Sequence, residues 1–374
     1  MKAFYFRIGE FSLINVALLE ALRERMSGVD WREVDVEREI VRSDGWLTAR
    51  ATGEAMVRHG ARIFGGRIPP RDFFPRLPVV LRAIAAWSRR EADEADFTFQ
   101  TQSLFDASSP GVPHFVYTDH TYLAGRRYPE PRELMPVAAE WRAMERRLYE
   151  GADCTFVSSE FAAGSVREDY GVESERVMNV GSGSNVDWPE FVDGSDRRGT
   201  VILFVGVDWE RKGGPELVRA FREVRSAVPG AELWIVGCRP GLSEDGVVER
   251  GRLSREETAE CYRKADVFCL PSRMDPSASV LAEAAGSGLP VVATAVGGNV
   301  ERVRDGATGF LVDAGRLAER LRTLLMDAEL RKRMGAAGRE MAMREFTWTA
   351  VAGRIAARIE AELISREGAK ARRV

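Results

Sequence analysis

The stretch VILFVGVDWERKGGPELVRAFREVRSAVPGAELWIVG, residues 201–237, decides the fold. VILFVGV reads as a strand, GPELVRAFREVRSAV as a helix and AELWIVG as a second strand. A short continuous apolar run, a loop, a helix and another such run suit a parallel sheet covered on both faces. Downstream the alternation continues. REETAECYRKA reads as a helix, DVFCLPS as a strand, SVLAEAAGSG as a helix, PVVATA as a strand and GFLVD as a last short strand.

Upstream the same pattern appears with different spacing. KAFYFRI is a short apolar and aromatic run ended by Gly9, and Leu13, Val16, Ala17, Leu19 and Leu22 then recur at helical spacing. PVVLRAIAAWSRREADEA reads as a helix, DFTFQTQ and PHFVYTDHT as strands, and residues 138–172 as helix, strand and helix. RVMNVGSGSNVD reads as a strand running into a glycine–serine loop. WPEFVDGSDRRGT, residues 188–200, is polar, turn-rich and aperiodic, and is taken as a linker. The expected organisation is therefore two doubly wound α/β domains, 1–187 and 201–345, with a cleft between them as the site. Residues 346–374 form an amphipathic helix and tail expected to pack back across both domains.

Composition limits the function classes. The chain has 374 residues, 45% of them hydrophobic and 30% charged, as in a globular protein of two domains. A net charge of −3 gives no global attraction to nucleic acid, so any anion must be held by local cations. The four cysteines show no CxxC pairing, which points to buried unpaired thiols in a reducing compartment. Arg7 and Glu10 interrupt the first apolar stretch, and no run approaches roughly 18 apolar residues. A cytoplasmic protein is the expectation. No cluster of His, Cys or carboxylates has metal-ligand spacing, so no metal site is expected.

Four pieces carry candidate chemistry. Gly206 ends a strand, and Arg211 and Lys212 follow in the loop before the next helix. Such a pair neutralises a diphosphate or merely solvates a loop. In PSRMDPSASVLAEAAGSG, Asp275 lies in the loop after a strand and Ser277 is read as the helix N-cap. The amides of Ala278, Ser279 and Val280 would then point at a ligand, with Glu283 about two turns along. Carboxylates so placed accept sugar hydroxyls; alternatively Glu283 pairs with a neighbouring arginine and Asp275 forms a turn. Gly297 and Gly298 would let backbone approach a ligand, and Glu301 would cap a helix or reach the cleft. Asp119 and His120 end a strand of the first half, where His120 would bond a sugar hydroxyl, accept a proton or serve as a structural hydrogen-bonder. GSGSN at 181–185 lacks the third glycine and following helix of a dinucleotide loop.

Taken in order, Arg211, Lys212 and Gly213, then ADVFCLPS, Asp275 and Glu283 eight apart, GLPVVAT, and VGG before DGATGFLV resemble the family-4 retaining glycosyltransferases of the GT-B fold. The resemblance covers most of residues 150–350 and implies two Rossmann-like domains facing across a cleft, with the last helix crossing back to the first. It further implies metal-independent transfer of a sugar from a UDP- or GDP-linked donor to an unknown acceptor, with retention. Arg211 and Lys212 would stabilise the departing diphosphate and Glu283 would bind the ribose hydroxyls. Asp275 would contact the donor sugar, His120 would do so from the first domain, and Gly206, Ser277, Ala278, Ser279 and Val280 would line the donor site.

The sequence departs from that pattern at several points. Asp275 stands for the usual glutamate and is shorter by one methylene, about 1.5 Å. Pro276, Ser277 and Ala278 replace a glycine–aromatic–glycine run, and Val207 stands for an arginine. A non-catalytic relative or assembly subunit is the second reading. Arginines within residues 125–148 either meet an anionic or lipid-linked acceptor at a membrane surface or form a solvated face.

Overall fold

The computed structural model describes residues 1–9, 14–64, 76–130, 134, 137–186, 188 and 197–371. It divides into two compact units. The first comprises Met1–Arg126, Arg132–Val180 and Ala352–Val374; the second comprises Arg127–Pro131 and Gly181–Val351.

In the first unit the elements run β1 (Lys2–Arg7), α1 (Ile14–Arg25), β2 (Asp30–Asp35), α2 (Gly45–Phe64), α3 (Pro78–Glu91), β3 (Phe97–Thr101), β4 (His114–Thr118), α4 (Ala139–Gly151), β5 (Cys154–Val157), α5 (Glu160–Glu168) and β6 (Val177–Asn179). The strands make one parallel sheet in the order β2-β1-β3-β4-β5-β6. Every residue of β3 and β4 is buried, as expected of central strands covered on both faces. Across one face Tyr5 stacks on Phe99 at 5.5 Å, and Phe99 and Phe115 each stack on Phe156 at 6.2 Å. Leu13, assigned to the first helix from sequence, lies outside the described residues.

In the second unit the elements are β7 (Val201–Val205), α6 (Gly214–Ala227), β8 (Glu232–Val236), β9 (Val247–Gly251), α7 (Arg255–Lys264), β10 (Val267–Leu270), α8 (Ser279–Gly286), β11 (Val291–Thr294), β12 (Gly309–Val312), α9 (Leu317–Met326) and α10 (Ala328–Glu345). Its six strands are also all parallel, ordered β12-β11-β10-β7-β8-β9. Numbered within the unit this is 3-2-1-4-5-6, the doubly wound order whose direction reverses between its first and fourth strands. Asp266, just before β10, is buried and accepts the amides of Gly199, Thr200 and Val201 at 2.8, 2.9 and 2.8 Å. Those three bonds fix the start of β7 beside β10, so the reversal point is set from below.

The last helix, α11 (Trp348–Ala371), begins in the second unit, and its residues from 352 onward belong to the first. There Arg354 donates to the Val180 carbonyl through Nε at 3.0 Å and Nη2 at 2.7 Å, and Ile355 and Ile359 are fully buried. Of the sequence-assigned linker, 189–196 lie outside the described residues. Arg197 at its far end donates to the carbonyls of Ser287 and Gly288, both at 2.8 Å.

None of the four cysteines forms a disulfide, and Cys154, Cys261 and Cys269 are buried. No described helix is long and apolar enough to cross a membrane.

Candidate active site

The loops after β7 and β10 diverge from neighbouring strands at the reversal point of the second sheet. Their backbones touch. Gly213 caps α6 at φ +76°, and a Cβ there would lie 1.8 Å from the Pro271 carbonyl oxygen. Only glycine permits both the left-handed backbone and this approach. The Arg273 amide donates to the Arg211 carbonyl at 2.9 Å, completing the link between the loops.

This contact brings the charged residues together. Lys212 Nζ donates to Asp275 Oδ2 at 2.5 Å, and the Ser272 hydroxyl donates to the same oxygen at 3.2 Å. Arg211 Nη1 stands 3.6 Å from that oxygen and donates to the Met274 carbonyl at 2.9 Å, while its Nε donates to Asp208 Oδ2 at 3.2 Å. Asp275 and Lys212 are 3% and 9% exposed, so their attraction is little screened by water. Two cations and two carboxylates meet here. The cluster is neutral as a whole, and both cations have carboxylate partners.

Glu283 sits one turn into α8 and is buried. Its Oε2 accepts the Tyr262 hydroxyl at 2.8 Å, and the backbone amide of Asn185 also donates to its carboxylate. Burial raises its pKa, opposed by these two hydrogen bonds and by the nearby charge of Lys212. The partner of Glu283 is thus a tyrosine, not an arginine.

The loop into α8 corrects the expected cap. Ala278, not Ser277, is the N-cap, without a side-chain cap bond. The Ser277 hydroxyl faces Arg302 instead, accepting from its Nε at 3.0 Å and Nη2 at 2.9 Å. The Ala278 amide does not point at a ligand, because it donates to Asn299 Oδ1 at 3.2 Å. Ser279 and Val280 occupy the first two helical positions, before intrahelical bonding begins, and are half-buried. Gly297 and Gly298 approach protein rather than ligand. A Cβ on Gly297, at φ +52°, would lie 1.9 Å from the Asp275 carbonyl oxygen, and the Gly298 amide donates to the Pro276 carbonyl at 2.9 Å. Gly206 extends the β7–β8 ladder through its amide to Val236 at 2.9 Å, and a Cβ there would crowd the Lys212 stem at 3.2 Å.

His120 belongs to the first unit, in the loop after β4. Its carbonyl accepts the Thr118 hydroxyl at 2.8 Å, and its ring lies 6.3 Å from that of Phe161. Buried Glu145 shapes the same loop, accepting from the Tyr122 amide at 3.1 Å and from the Tyr170 hydroxyl. A cavity of about 380 Å³ in this unit, lined by Asp106, His114 and Asp153 among others, lies at the amino ends of the strands and gathers none of the expected site residues.

Sequence reasoning missed Asp208, Ser272, Tyr262, Asn299 and Arg302. Asp208 had a local signal, three positions before Arg211 in one loop. Tyr262 reads as an ordinary apolar position of a helix, and its hydroxyl gains meaning only beside Glu283.

Two all-parallel doubly wound units, the second with an ionic cluster at its reversal point, make this a tandem α/β protein of the GT-B architecture. The chain belongs to the family-4 glycosyltransferases. The family described as Glycosyltransferase Family 4 matches residues 35–187, and the one described as Glycosyl transferases group 1 matches residues 190–341. A GDP-mannose-dependent alpha-(1-6)-phosphatidylinositol monomannoside mannosyltransferase of Mycobacterium tuberculosis is 31% identical over 345 residues, covering 82% of this chain and 84% of the relative. A D-inositol 3-phosphate glycosyltransferase of Corynebacterium efficiens is 30% identical over 270 residues, covering 63% of each chain. The chain therefore spans under two thirds of the length of that relative. Sucrose-phosphate synthase from Thermosynechococcus elongatus has the same fold, with a TM-score of 0.70 at 20% identity over 98% of this chain and 100% of that one.

Proposed function

We propose that the protein transfers a sugar, with retention and without a metal, from a UDP- or GDP-linked donor to an acceptor hydroxyl. The observation that carries this reading is the cluster of Arg211, Lys212 and Asp275 at the strand reversal. Breaking the bond between the anomeric carbon and the diphosphate leaves its electron pair on the phosphate oxygen. Preplaced cations favour that charge in the transition state more than in the ground state. Arg211 and Lys212 serve that role by exchanging carboxylate partners for phosphate oxygens. The first amides of α8, at Ser279 and Val280, add partial positive charge.

Glu283 holds the ribose hydroxyls, since a carboxylate has about four acceptor sites and Tyr262 and Asn185 take two. Asp275 contacts the donor sugar, and His120 bonds a sugar hydroxyl. A nucleotide-sugar donor is also supported by the relative from Mycobacterium tuberculosis, which is GDP-mannose-dependent. The acceptor is a saccharide, lipid-linked, protein or small-molecule hydroxyl. Cytoplasmic placement and contact of the arginines in 125–148 with a membrane surface belong to the same proposal.

Thermal-shift screening against a panel of nucleoside diphosphate sugars, followed by calorimetric titration with UDP and GDP, tests the reading. One base and one sugar should stand out, and Lys212→Ala and Glu283→Ala should each weaken binding at least tenfold. A protein that binds neither nucleotide overturns it.

A second reading, a nucleotide-sugar-binding relative without turnover, is favoured by the neutrality of the cluster, in which both cations already have partners. It predicts binding without donor hydrolysis, unchanged in Asp275→Glu.

A further inference from the structure

Arg302 is 1% exposed, and its guanidinium spends its donors on two short stretches far apart in sequence. Nη1 donates to the Ser182 carbonyl at 2.9 Å and Nη2 to the Ser182 hydroxyl. Nε and Nη2 donate to the Ser277 hydroxyl at 3.0 and 2.9 Å. The plane lies 4.4 Å from the Phe346 ring centroid. A planar fork stacked on an aromatic ring has little rotational freedom, so the relative position of its two partners is fixed with it.

Each partner leads to one of the two candidate carboxylates. Ser277 is two residues beyond Asp275, and its neighbours are tied to the same segment. Gly298 donates to the Pro276 carbonyl, and Asn299 accepts the Ala278 amide. Ser182 begins the loop whose Asn185 amide donates to Glu283. That loop is otherwise held by the Ser184 amide on the Phe346 carbonyl at 2.8 Å and by Gly183 flat against Trp348. Arg302 thus touches both the segment that carries Asp275 and the loop that bonds Glu283.

We propose that Arg302 is a positioning residue, whose guanidinium sets the spacing between the loop carrying Asp275 and the loop that bonds Glu283. It touches no reacting atom. Its contribution is to hold the 182–186 loop, whose Asn185 donates to Glu283, in a constant position against the segment that carries Asp275, as catalysis needs to within a fraction of an ångström. The catalytic consequence rests on the sugar-transfer reading, whereas the loop-spacing claim does not.

The test has two arms. Hydrogen exchange by mass spectrometry on the nucleotide-free full chain reads how firmly the two stretches are held. In Arg302→Lys, which keeps the charge but loses the fork, exchange at 182–186 and 277–280 should rise at least tenfold, with β7 and β8 unchanged. Ser277→Ala, which keeps the arginine, should raise exchange in both stretches to a smaller degree, and Ser277→Thr should restore it. Unchanged exchange in both stretches in Arg302→Lys, or a uniform rise across the whole unit, overturns the proposal. The second arm measures turnover of UDP-glucose and GDP-mannose. On whichever the unaltered protein uses, Arg302→Lys should lower kcat at least tenfold with KM within threefold. A rise in KM alone assigns Arg302 to binding and overturns the positioning role. If the unaltered protein turns over neither donor, the sugar-transfer reading falls and the exchange arm still decides the spacing claim.

Discussion

Lys212 Nζ and Asp275 Oδ2 stand 2.5 Å apart across 63 positions of sequence, in a pair almost closed to solvent. Removing either member should have opposite effects on anion binding. Asp275→Asn leaves two cations facing one carboxylate, and so should tighten UDP or GDP binding severalfold while abolishing transfer. Lys212→Met leaves the carboxylates in excess and should weaken binding at least tenfold. Each should also destabilise the second unit, by at most the about 3–5 kcal/mol of a broken buried pair, because Arg211 stands close enough to compensate Asp275 in the lysine variant. Calorimetric titration and urea midpoints measure both effects. Weaker nucleotide binding in Asp275→Asn would count against the charge argument.

Gly213→Ala should fail for two separate reasons. The left-handed backbone costs about 1–2 kcal/mol with a side chain, and the new methyl would drive into the Pro271 carbonyl. We expect a loss of at least about 2 kcal/mol of stability together with loss of nucleotide binding, since the loops after β7 and β10 must part. Gly241→Ala is the comparison: it also has positive φ, at +78°, but its Cβ would meet nothing within 4 Å. It should show the backbone cost alone.

Glu283 and Glu145 are buried carboxyls whose pKa values are raised above the ordinary 4.5, burial being the first cause in each. A raised folded-state pKa means that the folded protein binds more protons than the unfolded chain between the two values. The stability so gained is fully present below 4.5 and is lost as pH rises through the folded value. Glu283→Gln and Glu145→Gln should therefore each flatten the fall in stability as pH rises above 4.5, measured by urea unfolding. A steeper fall in either variant would reverse the sign argued here.

Tyr262→Phe removes one hydroxyl, and with it a donor to the Glu283 carboxylate. An acceptor left short of a donor in a buried site costs about 1–3 kcal/mol. The variant should lose that stability and raise the Glu283 pKa further, because the tyrosine bond is one of the groups that lower it. Urea unfolding gives the first, and the pH dependence of the Asn185 amide signal gives the second.

The central strands of both sheets were legible because they are buried on both faces and read as unbroken apolar runs, as in VFCL of β10 and VVAT of β11. The strands that sequence reasoning missed are edge strands. DWREVD of β2 and VVERG of β9 have one half-open side, and their Asp, Arg and Glu residues break the apolar signal. The helices α2, α9 and α10 also have no counterpart in the sequence reading.

At the site, sequence determined which residue types follow each strand: Arg211 and Lys212 after β7, Asp275 after β10, Glu283 in α8. Order along the chain suffices for that, since each loop is a local product of its strand and helix. Tertiary structure alone decided their partners. Asp275 meets Lys212 because the sheet order places β10 beside β7, and Glu283 meets Tyr262 because α7 and α8 flank the same strand. The contact of Gly213 with Pro271, and the grip of Arg302 on Ser182 and Ser277, likewise depend on which loops the sheet brings together. Spacing within a motif cannot encode such contacts, because they join groups through space across 21 to 120 positions of sequence.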